Sequence, residues 1–322
     1  MRQYMLEAEV GDDVFEEDPS VNRLQVKAAE MFGHQAALFC PSGTMTNQIA
    51  VQLHTQSLQE IICEETAHIY QYETGGYAYN ARAAINLVPG AFGKMTYEQI
   101  EGAIRPTFDW LPQTAMVSIE NSCNKGGGTY YTLSEAAAIH EVCERHKLRF
   151  HLDGARLFNV LVETKDQPES WGRLFDTLSI CLSKGLGAPV GSLLIGSEED
   201  IRRARRFRKV MGGGMRQAGI LAAAGIYAID HHIDRLKIDN DRAKEIGSVL
   251  AAKPFVKQVR PVQTNIVICE LEDDYPASQL VSKLAEHQIN CVAFGTQMVR
   301  FVTHMDLDKH MIDYTLEVMQ KI

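Results

Sequence analysis

Two polar residues that each follow an apolar segment have side chains that could do chemistry together. Asp153 closes the apolar run of RFHLDGAR, and Lys184 follows the apolar run of SICLSKGLG. If both runs are strands of one sheet, their ends meet at the same edge, and an amine and a carboxylate face one crevice. The small neighbours Ser183 and Gly185 leave the lysine unhindered, so it can form an imine with an aldehyde. The alternative is a surface lysine and a helix-capping aspartate.

An amine and a carboxylate in one crevice are the two protein groups that pyridoxal phosphate (PLP) chemistry requires. The amine binds the aldehyde of PLP, and the carboxylate holds the proton on its pyridine nitrogen. The cofactor also needs a phosphate site. Ser42, Gly43 and Thr44 lie between an apolar run, ALFC, and a predicted helix, so they offer free N–H groups, two hydroxyls and the positive end of a helix dipole. Such a turn can equally cap the helix and bind nothing.

Three more side chains suit the same crevice. His68 precedes a Gly-Gly pair and could stack on a flat ring and act as a base near neutral pH, or it is a loop histidine bonded to backbone. Arg156 follows Asp153 by three residues and would reach the same place. Arg300 is flanked by apolar residues in MVRFVTH, where it needs an anion. That anion is either a substrate carboxylate or the partner in a structural ion pair.

Composition limits the class of protein. The chain has 322 residues, 45% of them hydrophobic, and a net charge of −9, which argues against nucleic acid or an anionic membrane as a partner. No apolar run approaches the roughly 18 residues of a membrane span, and the acidic N-terminus does not resemble a signal peptide. Seven cysteines without C-x-x-C spacing favour free thiols. We therefore expect a soluble cytoplasmic protein.

Two other patterns are assigned no site. A basic run could suggest a nucleic-acid patch, but its charges spread around several faces of a helix and three acidic residues precede it, so we expect a solvated or subunit-interface helix. The run comprises Arg202, Arg203, Arg205, Arg206, Arg208 and Lys209. His140 and Cys143 lie three apart on a predicted helix, but no further ligand has matching spacing, and we expect no metal site.

Helical and strand patterns alternate up to about residue 230, which predicts a mostly parallel sheet covered by helices on both faces. A helix is expected from Ser20 to Gly33, and capping boxes are expected at Thr96 and Thr132. The expected strands are 61–63, 85–88, 115–119, 149–152, 177–182 and 192–195. The later pattern of helix, strand, helix, strand and helix predicts a small α+β unit with an antiparallel sheet. We therefore predict a large domain at 1–235, with an N-terminal arm of about residues 1–20, and a small domain at 236–322.

Together these motifs resemble the low-specificity L-threonine aldolases, in the β-eliminating lyase group of fold-type-I PLP enzymes. The matching stretches follow the family's order: VGDDVFEEDPSVNRLQ, FCPSGTMTNQIA, AHIYQYETGG, SIENSCNKGG, HLDGARLFNV, ICLSKGLGAPVGSLLIG, RKVMGGGMRQAGILAAAGIYA and VRFVTH. The resemblance implies an α/β, PLP-dependent transferase-like fold of the aspartate aminotransferase type. It also implies retro-aldol cleavage of L-threonine or L-allo-threonine to glycine and acetaldehyde.

The resemblance further implies a role for each site residue. Lys184 would bind PLP covalently, Asp153 would pair with the ring nitrogen, and His68 would lie over the ring. Arg156 would contact the ring oxygen, and Arg156 and Arg300 would hold the substrate carboxylate. The phosphate would bind Ser42, Gly43 and Thr44, with Lys209 and Arg216 of a neighbouring subunit completing the site. Family members are usually homotetramers, and we take a dimer as the minimal active unit.

Two departures from the family pattern change the expectation. Family members usually carry a Ser-Asp-Thr run before the first helix, and this sequence starts after it. We therefore expect a weakened carboxylate site in which Arg156 and Arg300 act alone. The segment ENSCN has Cys123 where the family has a histidine that contacts the β-hydroxyl. We expect Cys123 to bind substrate there and to alter the threo/allo preference. The alternative is a small loop residue without substrate contact.

Two other functions stay open on sequence alone. One is a different PLP-dependent lyase or aldolase, acting on a related amino acid such as phenylserine or eliminating a β-substituent. The other is a PLP-binding protein with impaired activity. Products distinguish the first from threonine cleavage, because elimination yields ammonia and a keto acid.

Overall fold

The computed structural model describes residues 1–322 and contains fourteen α-helices, a short 3₁₀ helix at Asp13–Phe15, and eleven strands. The helices are α1 Arg2–Leu6, α2 Pro19–Phe32, α3 Gly43–His54, α4 His68–Gln71, α5 Gly76–Ala81, α6 Tyr97–Ala103, α7 Leu133–His146, α8 Leu157–Thr164, α9 Pro168–Gly172, α10 Glu198–Val210, α11 Gly219–His232, α12 Leu236–Ala251, α13 Ala277–Ala285 and α14 Lys309–Lys321. The strands are β1 Ala36–Cys40, β2 Gln59–Glu64, β3 Ala84–Val88, β4 Gln113–Glu120, β5 Arg149–Asp153, β6 Thr177–Cys181, β7 Ser192–Gly196, β8 Val256–Val259, β9 Ile266–Leu271, β10 Val292–Ala293 and β11 Met298–Val302.

The seven strands β1 to β7 form one sheet with the order β1-β7-β6-β5-β4-β2-β3. The pairs from β3 through β6 are parallel, and β7 runs antiparallel to both β6 and β1. The six strands expected from the sequence are present within two residues of their expected bounds. The mostly parallel sheet predicted from strand–helix alternation is therefore confirmed.

Both faces of this sheet are covered. In β1, the side chain of Phe39 packs in one apolar cluster with Leu24 of α2. Its neighbour Leu38 packs in a different apolar cluster with Ile49 of α3. Successive side chains of a strand point to opposite faces, so both faces carry apolar residues. This double burial explains why the central strands read as continuous apolar runs.

Local sequence signals explain most helix ends. Helix α2 ends at Gly33, whose φ of +67° is the left-handed conformation that glycine tolerates best. The capping boxes at Thr96 and Thr132 are both present. The start of α2 differs from the expected Ser20, because the carboxylate of Asp18 accepts the N–H groups of Ser20 and Val21 at 3.1 Å. Proline is favoured at the first helical position, so the helix begins earlier, just after Asp18.

The four remaining strands form an antiparallel sheet with the order β10-β11-β9-β8. The short strands β8 and β10 were not expected from the sequence. An apolar cluster of buried residues between Ala243 and Met319 lies against this sheet, separate from the core of the large sheet. None of the helices combines the length and the apolar character that crossing a bilayer requires.

The basic helix α10, expected to be a solvated or subunit-interface helix, has one buried basic residue. Arg202 and Arg206 are exposed, but Arg208 is 3% exposed and pairs with the buried Asp13 at 2.6 Å. Its guanidinium also donates to the carbonyl oxygen of Phe39 at 2.7 Å. Arg208 therefore connects the N-terminal segment around Asp13 to β1, the edge strand of the large sheet.

Candidate active site

The carboxyl ends of neighbouring parallel strands bring the central residues together. Glu120 ends β4 and Asp153 ends β5, and the two are direct partners in the strand register. Asp153 is in turn paired with Ser179 of β6, and Lys184 lies in the loop that follows β6. The amine and the carboxylate therefore lie at one edge of the sheet, as the sequence predicted.

Asp153 is buried and held by hydrogen bonds. Its Oδ2 accepts from the side-chain amide of Asn47 at 2.9 Å, and its Oδ1 accepts from the N–H of Ala155 at 3.3 Å. Helix α8 begins later, and Asp153 is not its cap. The Asn47 amide is oriented by the ring of His151, 3.2 Å from its Oδ1. The capping alternative for Asp153 is thus not what the structure shows.

His68 is the first residue of α4, and its imidazole is bonded to a carboxylate rather than to backbone. Its Nδ1 lies 3.0 Å from Oε1 of the buried Glu73, an oxygen that also accepts from the amide of Asn47 at 2.8 Å. Burial alone would lower the pKa of His68. The Glu73 hydrogen bond and the charge of Asp153 outweigh burial and raise that pKa above its ordinary value. Asn47 therefore connects the carboxylates on which His68 depends.

The same carboxylates could in principle hold a metal, since ligand atoms of His68, Glu73 and Asp153 lie within 4.8 Å of one another. The amide of Asn47 already donates to both carboxylates. The cluster is therefore internally bonded as a hydrogen-bond network.

Lys184 has a half-buried side chain that makes no hydrogen bond and no ion pair within the chain. Its own carbonyl accepts from the N–H of Gly187, which closes a tight turn. Gly187 has φ +73°, a left-handed conformation that favours glycine, and packs against the side chain of Met305. The amine is thus free for chemistry on a fixed loop.

The turn before α3 both caps the helix and leaves donors free. The hydroxyl of Ser42 accepts the N–H of Met45 at 3.2 Å, while the N–H groups of Gly43 and Thr44 have no acceptor in the chain. A Cβ at Gly43 would lie 2.7 Å from Sγ of Cys181, so only glycine fits against β6. Free N–H groups at the start of this twelve-residue helix suit an anion.

Neither arginine of the crevice has an acidic partner. The guanidinium of Arg156 makes no hydrogen bond in the chain. Burial is the main cause that lowers its pKa, and the positive charge of Arg300 lowers it further by a smaller amount. Arg300 donates from Nη1 to Oδ1 of Asn124 at 2.9 Å and lies 4.5 Å from the centre of the Phe294 ring. Its Nε is buried without a partner. The structural ion pair considered for Arg300 is therefore absent.

Lys209 and Arg216 lie on the surface of this chain. Arg216 pairs with Asp12 at 2.6 Å and remains 59% exposed. No hydrogen bond or ion pair joins either residue to the turn at Ser42. Within one chain the structure therefore does not connect them to the proposed phosphate site.

Cys123 lies in the core rather than on an open wall of the crevice. Its side chain is 1% exposed, and its single S–H lies within donating distance of two carbonyl oxygens, that of Glu120 at 3.1 Å and that of Gly93 at 3.3 Å. Burial raises the pKa of the thiol well above its usual value. This placement favours the alternative of a structural residue over the expected substrate contact, because the thiol is covered by the chain itself.

Sequence reasoning missed four residues of the site: Asn47, Glu73, Glu120 and Asn124. Glu120 accepts the N–H groups of His68 at 3.1 Å and Asn124 at 3.0 Å. Burial and the charge of Asp153 raise its pKa to about 7. Glu120 ends an apolar run just as Asp153 does, so the same signal could have found it. Asn47 and Glu73 carry no comparable signal.

Comparison with known proteins identifies the family of this chain. Residues 1–274 match the family described as Beta-eliminating lyase. The low-specificity L-threonine aldolase of Escherichia coli (strain K12) is 37% identical over 317 residues, covering 97% of this chain and 92% of that relative. Low-specificity L-threonine aldolase 1 of Arabidopsis thaliana is 35% identical over 328 residues, covering 100% of this chain and 92% of that relative.

Solved structures agree on the fold. The threonine aldolase of Leishmania major matches with a TM-score of 0.80 at 24% identity, covering 95% of this chain and 90% of that chain. At this identity the likeness concerns the fold alone. The predicted PLP-dependent transferase-like architecture, a mostly parallel large sheet with a small antiparallel sheet, is confirmed.

Proposed function

This chain belongs to the beta-eliminating lyase family, and we propose that it is a PLP-dependent aldehyde-lyase that cleaves L-threonine and L-allo-threonine to glycine and acetaldehyde. One observation carries the proposal. The free amine of Lys184 lies at the same sheet edge as a hydrogen-bond network of buried Asp153, Asn47 and Glu73 with half-buried His68. This edge thus offers both a group to bind an aldehyde and a group to accept a proton.

The residues present fit PLP. Lys184 has no internal partner and would bind the aldehyde of the cofactor. Asp153 is a buried carboxylate fixed by Asn47, suited to the protonated ring nitrogen. The free N–H groups at Gly43 and Thr44, with the hydroxyls of this turn, would hold the phosphate. Arg156 has no partner within the chain and is available to the ring oxygen. When bound, PLP supplies an electron sink for the carbanion that C–C cleavage leaves at Cα.

The two arginines of the crevice would orient the substrate. Arg300 is held by Asn124 and the Phe294 ring, and its pairing with the α-carboxylate would fix the rotation of the Cα–Cβ bond. Arg156 adds a second positive charge on the same side. An anion between them satisfies two guanidinium groups that the chain itself leaves without acids.

His68 is proposed as the base. Its Nδ1 is bonded to Glu73, which leaves Nε2 to accept the proton of the β-hydroxyl. As that proton leaves, the Cα–Cβ bond breaks and acetaldehyde departs. Protonation of Cα then yields glycine, so the atoms of threonine are fully accounted for.

Assembly and location are part of the proposal. We propose a homotetramer with a dimer as the minimal active unit, in which Lys209 and Arg216 reach the phosphate site of a neighbouring subunit. The exposure of both side chains supports this. We propose a cytoplasmic location, supported by seven cysteines that are all unpaired, six of them buried.

Product analysis tests the proposal. The PLP-loaded protein is incubated with L-threonine, L-allo-threonine and L-phenylserine, and the aldehydes, glycine, ammonia and keto acids are quantified. Equal amounts of glycine and acetaldehyde from threonine support the proposed function. Ammonia with a keto acid would assign the chain to β-elimination instead. If the protein binds PLP but forms no product from any substrate, it is a PLP-binding protein with impaired activity and the proposed function is rejected.

A further inference from the structure

Lys125 lies beside the same aromatic ring as Arg300 and has no role in the reaction proposed above. It follows Asn124, the residue that holds Arg300. Its Nζ lies 4.2 Å from the centre of the Phe294 ring, and the guanidinium carbon of Arg300 lies 4.5 Å from that same centre. Two cations therefore share one aromatic ring.

No acidic group neutralises this pair. The ammonium of Lys125 makes no hydrogen bond and no ion pair in the chain, and the Nε of Arg300 is buried without a partner. Arg260 donates to the carbonyl oxygen of Lys125 at 2.6 Å, but its own charge is paired with Glu270 at 2.8 Å. The aromatic face attracts each cation without cancelling its charge. The surroundings of Phe294 thus carry a positive charge beyond the one that a single carboxylate requires.

A substrate such as threonine brings only one carboxylate, which Arg156 and Arg300 take in the proposed function. We propose that Lys125 forms a subsite for a second anionic group, one carried on Cβ of the substrate. The substrate class is that of β-hydroxy-α-amino dicarboxylates, of which 3-hydroxyaspartate is the shortest. This inference rests on the proposed function, because it extends the same cleavage to another substituent.

The reach and the chemistry are consistent. The Nζ of Lys125 and the guanidinium carbon of Arg300 cannot be farther apart than the sum of their distances to the centre of the Phe294 ring. The two carboxylates of a four-carbon acid can bridge this span, because both basic side chains are flexible. In the reaction, His68 takes the β-hydroxyl proton, the Cα–Cβ bond breaks, and glyoxylate leaves. Cα then gains a proton, so that 3-hydroxyaspartate gives glycine and glyoxylate without any further reactant.

The test compares kcat/KM for 3-hydroxyaspartate and threonine in the PLP-loaded protein. We expect the wild type to cleave both substrates. In Lys125→Met, kcat/KM for 3-hydroxyaspartate divided by kcat/KM for threonine should fall at least about tenfold, the loss expected for one charge-assisted contact. Lys125→Arg, which keeps the charge, should retain most of the ratio. Lys283→Met is the matched control, because Lys283 is also half-buried and makes no ion pair, but lies on α13.

The outcomes separate this inference from the proposed function. Cleavage of threonine but not of hydroxyaspartate by the wild type would overturn the subsite alone. A ratio in Lys125→Met equal to that of the wild type would do the same, since the lysine would then serve only to pack on Phe294. Cleavage of neither substrate would instead reject the proposed function. Thermal unfolding and PLP absorbance of each variant confirm that it is folded and loaded.

Discussion

Asn124 accepts a hydrogen bond of 2.9 Å from Arg300, and this bond joins the loop that follows β4 of the large sheet to β11 in the small antiparallel sheet. The backbone of Asn124 is itself held by Glu120, whose Oε1 accepts its N–H at 3.0 Å. The guanidinium that would bind the substrate carboxylate is therefore fixed to the same sheet edge that carries Asp153.

We expect Asn124→Ala to raise KM for threonine about tenfold, because Arg300 loses the bond that orients it. Asn124→Asp should raise KM further, since an internal carboxylate would compete with the substrate for the guanidinium. Steady-state kinetics measure both, with kcat reported separately, and the shift should lie mainly in KM. Equal KM values in the wild type and both variants would show that Asn124 does not position Arg300.

We expect borohydride treatment of the PLP-loaded protein to attach the cofactor irreversibly to Lys184, the unpaired lysine at the strand ends. Peptide mapping locates the modified residue. Lys184→Ala should lose both the modification and the absorbance at about 420 nm that bound PLP gives. Lys125→Met should keep both, because that lysine is proposed to contact only substrate. Modification at any other lysine would reject the assignment.

We expect Asp153→Asn to lower kcat at least tenfold, equivalent to about 1.4 kcal/mol of barrier. The amide cannot hold a proton on the ring nitrogen, although its oxygen can still accept from Asn47. Because the two side chains have nearly the same shape, PLP content should change little. A fully active variant would show that the carboxylate has only a structural role.

The raised pKa of His68 predicts a pH dependence. Below that pKa the imidazole is protonated and cannot take the hydroxyl proton, so kcat/KM should rise as the pH increases through it. Replacing Glu73 with Gln removes the charged partner, lowers the pKa of His68 and should move the acid limb to lower pH. The pH profiles of both proteins check this. Coincident acid limbs would exclude His68 as the titrating base.

The same shift has a consequence for stability. A histidine whose pKa is raised in the folded state stabilises that state fully below its unfolded value of 6.5, and this contribution disappears as the pH rises through the folded pKa. Denaturant unfolding at a series of pH values measures this. Between pH 6.5 and the folded pKa of His68, the free energy of unfolding should change less with pH in Glu73→Gln than in the wild type.

Cys123 is expected to act on stability rather than on stereochemistry. Cys123→Ala removes the one S–H donor near two backbone carbonyls and leaves a small cavity, so the variant should unfold at lower temperature. Its kcat/KM ratio for threonine and allo-threonine should stay within about twofold of the wild type, a difference of ~0.4 kcal/mol. A larger change in that ratio would restore Cys123 to the substrate site.

Several features follow from the sequence alone. Three strands of the large sheet, β2, β4 and β5, are short apolar runs that end on an acidic residue, so their positions can be read from local composition. Parallel strands then place those ends at one edge, which is why Asp153 and Lys184 could be paired across the intervening residues. The division near residue 235 stays a prediction. It is supported by the separate core of the small sheet, although Leu236 packs with the large one.

Other features depend on tertiary structure. Asn47 meets Asp153 across 106 positions of the chain, and Arg300 meets Asn124 across 176. No periodicity or motif encodes such a contact, because it depends on which loops converge after the sheet has assembled. The burial of Cys123 and of Arg208 is decided in the same way. A residue's type sets what chemistry it can do, but the packing around it determines whether solvent, substrate or another residue can reach it.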